Sequence, residues 1–447
     1  MTIKTPFGRP MRQAHFSFSP TYTPLNHGSF GCSPQAVLQH QAHLQTLAAA
    51  RPDTFIVRDI PVLIDASRSA IAPLLGIDVN EVVLIPNATT GVNTVLRNLT
   101  WEAGDVIVFF STIYDACEKT IASIQEVVNI EGVKIELQYP IEDEGIVWLF
   151  RETIERVQSQ GKRVRLAMFD TVLTFPGARM PWEELVGVCK ELGVLSLIDG
   201  AHGVGCIDLK YLGTVEPDFF VSNCHKLMLL LIRLGWLFTP RGCTVFYVPF
   251  RNQHLIRTSL PTSHGYQYPN SEPEPLPGGK SPFVHLFEFV ATIDYTPYAC
   301  IPAALEFRKR ICGGEEAIRK YCYEIARVGG QRAAGILGTE VMATETRTMN
   351  QCCFANVALP LKFKKAGVEE QNETKIFDIC EAGQIGSWIN DRGVKEFDTY
   401  LQIAFHAGMM WVRLSGQIYL EVKDFEWVGE RLKELCGRVK KGEFRKP

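Results

Sequence analysis

Between residues 80 and 250, short apolar runs alternate with amphipathic stretches, and this alternation constrains the fold more than any other feature of the chain. The runs are 81–86 (EVVLIP), 105–111 (DVIVFFS), 133–138 (VKIELQ), 164–170 (VRLAMFD), 194–199 (VLSLID) and 243–248 (CTVFYV). Each has the length of a strand, and several are apolar on both faces, as strands covered by helices on each side must be. Between them, residues 182–192 (WEELVGVCKEL) follow Pro181 and read as a helix with proline at its first turn. The pattern predicts an α/β fold with a mostly parallel sheet.

At 447 residues the chain exceeds one typical core, so a large domain and a smaller one are expected. Residues 261–282, rich in Pro, Gly and polar side chains, read as a long surface loop. Beyond it come helical patterns near 302–312 and 315–335, apolar strands at 352–359 and 400–406 flanking a helix near 376–389, and a last helix over 424–439. That mixture suits a smaller α+β domain closing over the first.

Charge excludes some classes of partner. With net charge -3 there is no basic field to attract nucleic acid or anionic lipid. The N-terminal stretch MTIKTPFGRPMRQAHFSF lacks the apolar centre of a signal peptide, and no run of about 18 apolar residues suits a membrane span, so a cytoplasmic location is expected. Thirteen cysteines without a Cys-x-x-Cys pair point to reduced, mostly buried thiols. Ten scattered histidines without ligand spacing predict no metal site.

Open parallel sheets bind ligands at the carboxyl ends of their strands, which directs attention to the residue after each run. Asn87-Ala88-Thr89-Thr90-Gly91 opens a helix whose N-terminus suits an anion, although a plain helix cap explains it too. Thr112-Ile113-Tyr114 places an aromatic ring at the same edge, where a rim tyrosine is the plainer reading. Asp199 lies directly behind an apolar strand, where a carboxylate needs a cation or several donors; a structural cap is its alternative. After the strand-like DFFVSN comes Ser222-Asn223-Cys224-His225-Lys226. Most lysines are surface charges, and a nucleophilic one must be shifted down from about 10.4. Arg413 stands inside an apolar strand, where a carboxylate is its natural partner. Pyridoxal-phosphate (PLP) chemistry needs this set together: a phosphate cup, a ring stacker, a carboxylate for the pyridinium nitrogen, a lysine and a carboxylate clamp.

In that order the motifs NATTG, IDGAHG, SNCHK and the late arginine resemble fold-type-I PLP enzymes of the class V aminotransferase family, over almost the whole chain. LNHGSFG (25–31), ARPDTF (50–55), TIYDACEKT (112–120) and RNQHLIRTSLPTSHG (251–265) are similar to the carbon–sulfur lyases of fungal ergothioneine biosynthesis. The resemblance implies an N-terminal segment lining the site (1–50), a large PLP-binding domain (51–300) and a small C-terminal domain (301–447). It further implies that Ala88, Thr89, Ser222 and His225 hold the phosphate, that Tyr114 stacks on the ring, and that Asp199 meets the pyridine nitrogen. His202 would lie near the phenolic oxygen, Lys226 would hold the cofactor covalently, and Asn26, His27 and Arg413 would line the site for a small amino-acid substrate. FEFVATIDYTPY (287–298) is similar to the segment by which one subunit of a homodimer lends a threonine, here Thr292, to its partner.

Two departures bear on the activity. The family places a tryptophan directly after the lysine, whereas here residues 227–235 (LMLLLIRLG) precede Trp236. Three readings stay open: an outward bulge, a splicing error in the gene model, or a non-catalytic homologue impaired by the insert. The segment 405–410 (FHAGMM) is less basic than in the lyases, and His202 replaces a glutamine, which bears on the substrate. The expected reaction is β-elimination. The alternatives are an epimerase of the isopenicillin type, with Tyr114 and Lys226 as its two bases, and a cysteine desulfurase, against which Cys352 and Cys353 lie in an apolar strand pattern rather than on a loop.

Overall fold

The computed structural model describes residues 4–224, 237–269, 276, 279–364 and 376–445. Seven strands form one sheet: β1 (Val82–Ile85), β2 (Val106–Phe110), β3 (Glu131–Ile135), β4 (Val164–Asp170), β5 (Leu195–Asp199), β6 (Phe219–Asn223) and β7 (Thr244–Tyr247), in the order β1-β7-β6-β5-β4-β2-β3. Pairs β2/β3, β2/β4, β4/β5 and β5/β6 are parallel. β7 is antiparallel to both β6 and β1, so β1 runs with the other five. Six strands therefore deliver their carboxyl ends to one edge.

Every residue of β1, β2, β6 and β7 is buried, which is why these runs lack the alternation of a half-exposed sheet. The edge strand β3 is largely accessible and begins two residues before the expected start. Its partner sets this register: Glu131 pairs with Val106, and β2 ends at Phe110 opposite Ile135, leaving nothing for residues 136–138 to pair with.

Helices α1 (Ala88–Asn98), α2 (Asp115–Gln125) and α3 (Trp182–Glu191) connect successive strands. One face of the sheet packs with α1 and α2 in a cluster containing Val92, Val95, Ile121 and Phe246. The other face belongs to a larger cluster that continues through the C-terminal third of the chain to Phe444.

That third contains α4 (Glu315–Leu337) and an antiparallel sheet of β8 (Phe354–Ala358), β11 (Gln402–His406) and β12 (Met409–Ser415), ordered β11-β12-β8. Between β8 and β11 lie β9 (Lys362–Lys364), β10 (Ile376–Asp378), which pairs with it in parallel, and α5 (Ala382–Phe397). The helix expected from residue 376 thus starts later. Asp378 and Glu381 form a capping box that ends the strand and opens the helical turn. A last helix, α6, spans Val422–Lys440.

All thirteen thiols are free, and Cys380 alone is exposed. Among the described residues no helix is long and apolar enough to cross a membrane.

Candidate active site

Asp199 ends β5 at the shared sheet edge and is only 2% exposed. Its Oδ1 accepts the Ala201 N–H at 2.8 Å, and the Cys117 thiol from α2 lies 3.5 Å from Oδ2. Asp170, buried at the end of β4, stands in register beside it. Two carboxyl groups on neighbouring strand ends make this edge acidic, the setting a protonated ring nitrogen requires. Tyr114 immediately precedes α2 and is half-buried. Burial first, then the proximity of Cys117 and Asp199, raises its phenol above the ordinary value, so it carries its proton at neutral pH.

At the start of α1, the Asn87 side chain accepts the Thr90 N–H at 2.8 Å. The Ala88 N–H donates to Asn223 Oδ1 at 3.1 Å, and the Thr244 hydroxyl donates to the same oxygen at 2.7 Å. Ala88 and Thr89 thus form the first turn of an eleven-residue helix, whose N-terminus favours an anion. Asn223 thus ties the start of α1 to the end of β6 and to β7 through a single oxygen.

Ser222, expected beside the phosphate, faces the other side of the strand from this turn. Its hydroxyl donates to the Gly200 carbonyl and accepts the Val204 N–H at 2.9 Å, and the residue is fully buried. Side chains alternate along a strand, so Ser222 shares the face of Phe220 while Asn223 shares that of Phe219 and Val221, on the α1 side. The period-two pattern of DFFVSN is the sequence signal that puts Ser222 and Asn223 on opposite faces.

His202 is buried, with Nε2 3.4 Å from the Thr174 hydroxyl and its ring edge-on to Phe354 at 5.2 Å. Arg413 lies within β12 and has no exposed surface. Its Nη1 donates to the Thr174 carbonyl at 2.5 Å; Nη2 donates to Asn26 Oδ1 at 3.0 Å and to Ser29 Oγ at 2.8 Å. The guanidinium lies 4.6 Å over the Phe354 ring. Among the described residues no carboxylate pairs with it. Burial pulls its pKa down to about 10, which leaves it charged at neutral pH. His27, next to Asn26, is bonded through Nδ1 to the Tyr419 hydroxyl at 2.6 Å and packs edge-on to Phe238. Asn26, Ser29, Thr174 and Arg413 therefore form one cluster, of which Ser29 and Thr174 carry no signal in the sequence beyond their neighbours.

Thr292 is exposed and, with His264 and Tyr268, lines an open depression. Its neighbours Ala291 and Ile293 line a small cavity together with Pro86 and Thr90, which brings this segment beside the start of α1. His225, Lys226, the insert 227–235 and Trp236 lie outside the described residues. The residues that bracket this stretch meet: Leu237 N donates to the Cys224 carbonyl at 3.0 Å.

Residues 33–253 match the aminotransferase class-V family. Over 98% of its length the chain is 36% identical to the L-cysteine desulfhydrase-like protein lolT1 of Epichloe uncinata, of which it covers 98%. The chain belongs to the class-V aminotransferases. It is a PLP-dependent enzyme of their carbon–sulfur lyase and cysteine desulfhydrase group. The lyase is also 31% identical over 96% of its length to the hercynylcysteine sulfoxide lyase of Schizosaccharomyces pombe, covering 98% of that protein. In fold it is similar to the cystine C-S lyase C-DES solved with its product cysteine persulfide, with a TM-score of 0.71 and 21% identity over 93% of this chain and 97% of that one. The fold-type-I architecture expected from the sequence is thus the one observed.

Proposed function

We propose that the lyase cleaves the Cβ–S bond of a cysteine sulfoxide conjugate, hercynylcysteine sulfoxide, by β-elimination, as a step of ergothioneine biosynthesis in the cytoplasm. One observation carries the amino-acid reading: Arg413 is a fully buried cation without a carboxylate partner among the described residues, fixed by Asn26, Ser29 and Thr174. A buried charge of this kind is costly unless a ligand completes it, and a substrate carboxylate does so at the donors still open, Nε among them.

The residues present fit PLP. The buried Asp199 would face the pyridine nitrogen, Tyr114 the ring, and His202 the phenolic oxygen. Ala88, Thr89 and Asn223, with His225, would hold the phosphate, and Lys226 would carry the aldehyde carbon. When bound, the cofactor draws electrons away from the α-carbon of an amino acid attached to it. Lys226 Nζ would take the α-proton as general base, and Arg413 would hold and orient the substrate carboxylate. Tyr114, protonated at neutral pH, donates its phenolic proton to the departing sulfenate oxygen. The remaining carbon skeleton hydrolyses to pyruvate and ammonia. In the homodimer we propose, Thr292 reaches the partner's phosphate site.

A second reading has its own support: the L-cysteine desulfhydrase-like relatives are more similar to this chain, at 36% and 37% identity, than the sulfoxide lyase at 31%. Incubation of the PLP-loaded protein with each substrate separates the two. Pyruvate and an ergothioneine-yielding sulfenate from hercynylcysteine sulfoxide, with kcat/KM well above that for L-cysteine, support the proposal. Pyruvate and sulfide from L-cysteine alone refute the substrate.

A further inference from the structure

We infer that Phe354 is the positioning residue of the amino-acid site: its ring fixes the Arg413 guanidinium and the His202 imidazole relative to each other, and so sets where a substrate carboxylate is received. The inference rests on reading Arg413 as the carboxylate clamp.

Phe354 opens β8 and is 2% exposed. Arg413 lies over its ring at 4.6 Å, and His202 meets it edge-on at 5.2 Å with an interplanar angle of 84°. A guanidinium stripped of water gains from the negative face of an aromatic ring, and an imidazole edge gains likewise from an aromatic neighbour. The ring therefore supplies Arg413 with an attraction that no carboxylate among the described residues supplies, and it does so without occupying the donor edge that a ligand needs.

The chain is built around this ring. A Cβ added to Gly28 would come within 2.2 Å of Phe354 Cε1 and 2.4 Å of its Cζ, and one added to Gly177 within 2.7 Å of Phe354 Cβ and 2.9 Å of Arg413 Cδ. Both glycines are thus required by close approach rather than by backbone conformation. Gly177 is also held in place from β8, where the Asn356 side chain accepts its N–H at 2.8 Å and donates to its carbonyl at 3.0 Å. Asn356 is the cross-strand partner of Arg413. The N-terminal segment, the loop after β4, the turn after β5 and strands β8 and β12 therefore converge on one side chain. Phe354 also lines a cavity of about 1090 Å³ bordered by α4, so removing the ring would bring that space against the guanidinium.

The test titrates the PLP-loaded lyase with L-alanine and with ethylamine, which lacks only the carboxylate, following the absorbance of the bound cofactor. Phe354→Leu is expected to weaken L-alanine binding about tenfold while ethylamine changes by less than about twofold, and Phe354→Tyr, which keeps the ring face, stays near wild type. Should Phe354→Leu not fold, Phe354→Met, close in volume and without a ring face, is read the same way. Unchanged L-alanine binding, or equal weakening of both ligands, overturns the inference. Arg413→Lys separates the two claims: if it leaves the ratio of the two affinities unaltered, the clamp reading fails, whereas if it lowers the ratio and Phe354→Leu does not, the positioning role alone fails.

Discussion

Ser222 and Asn223 are adjacent, polar and at the end of the same strand, yet they face opposite sides of the sheet, and their substitutions should separate accordingly. Asn223→Ala removes the acceptor that holds the Ala88 N–H at the start of α1, so cofactor affinity should fall about tenfold or more, measured by equilibrium dialysis of PLP. Ser222→Ala leaves the Val204 N–H unsatisfied inside the fold. It should cost about 1–3 kcal/mol of stability in denaturant unfolding while cofactor affinity stays close to wild type. Equal loss of PLP affinity in both variants would contradict the facing described above. Tyr114 allows a kinetic test at the same scale. If its phenol protonates the leaving oxygen, Tyr114→Phe should lower kcat for a sulfoxide substrate by about 10²–10⁴-fold and for L-cysteine, which has no sulfoxide oxygen to protonate, far less.

At the level of elements, what the sequence made legible is what depends on apolar runs. The strand end bearing Asp199, the turn bearing Tyr114 after β2 and the helix start at Ala88 follow from buried strands that leave no room for polar residues until they end. What stayed hidden depends on pairing partners: the early start of β3 is set by β2, and β10 is too short to distinguish from the helix behind it. Phe354 looked like any apolar strand residue, because its role comes from Gly28, Gly177 and Arg413, distant in sequence. The insert 227–235 belongs to this scale as well. The Cys224 carbonyl accepts the Leu237 N–H, and with 227–235 removed these residues would be four apart, the span of a single helical turn. Deleting 227–235 is therefore expected to yield a protein that folds, binds PLP and retains the unfolding midpoint of the full chain or exceeds it. A variant that aggregates or no longer takes up PLP would show that the nine residues are integral to the site.

Across the whole molecule, the two sheets meet at a hydrogen bond that pH should control. The Tyr139 backbone N–H, in the segment after β3, donates at 2.9 Å to Nε2 of His406, at the end of β11 in the hairpin that also carries Arg413. A ring nitrogen accepts only when unprotonated, so this junction requires neutral His406. Burial lowers the pKa of His406 below its ordinary 6.5. The sign follows from linkage: the unfolded chain takes up the proton first as pH falls, so the contribution of His406 is complete above 6.5 and is lost as pH drops through the lower folded value. The ionisable groups on the elements around it, Tyr139, Asp170 and Asp143 among them, remain in a His406→Phe variant, which lacks only the titrating ring. Between pH 7.5 and 5.5, the wild-type Tm should therefore fall further than that of His406→Phe, by about 1–2 °C. Because the hairpin also bears the carboxylate clamp, KM for an amino-acid substrate should rise over the same interval in the wild type and less in the variant. Parallel pH profiles for Tm and KM in both proteins would mean that the junction between the sheets is held by packing, with no titratable component.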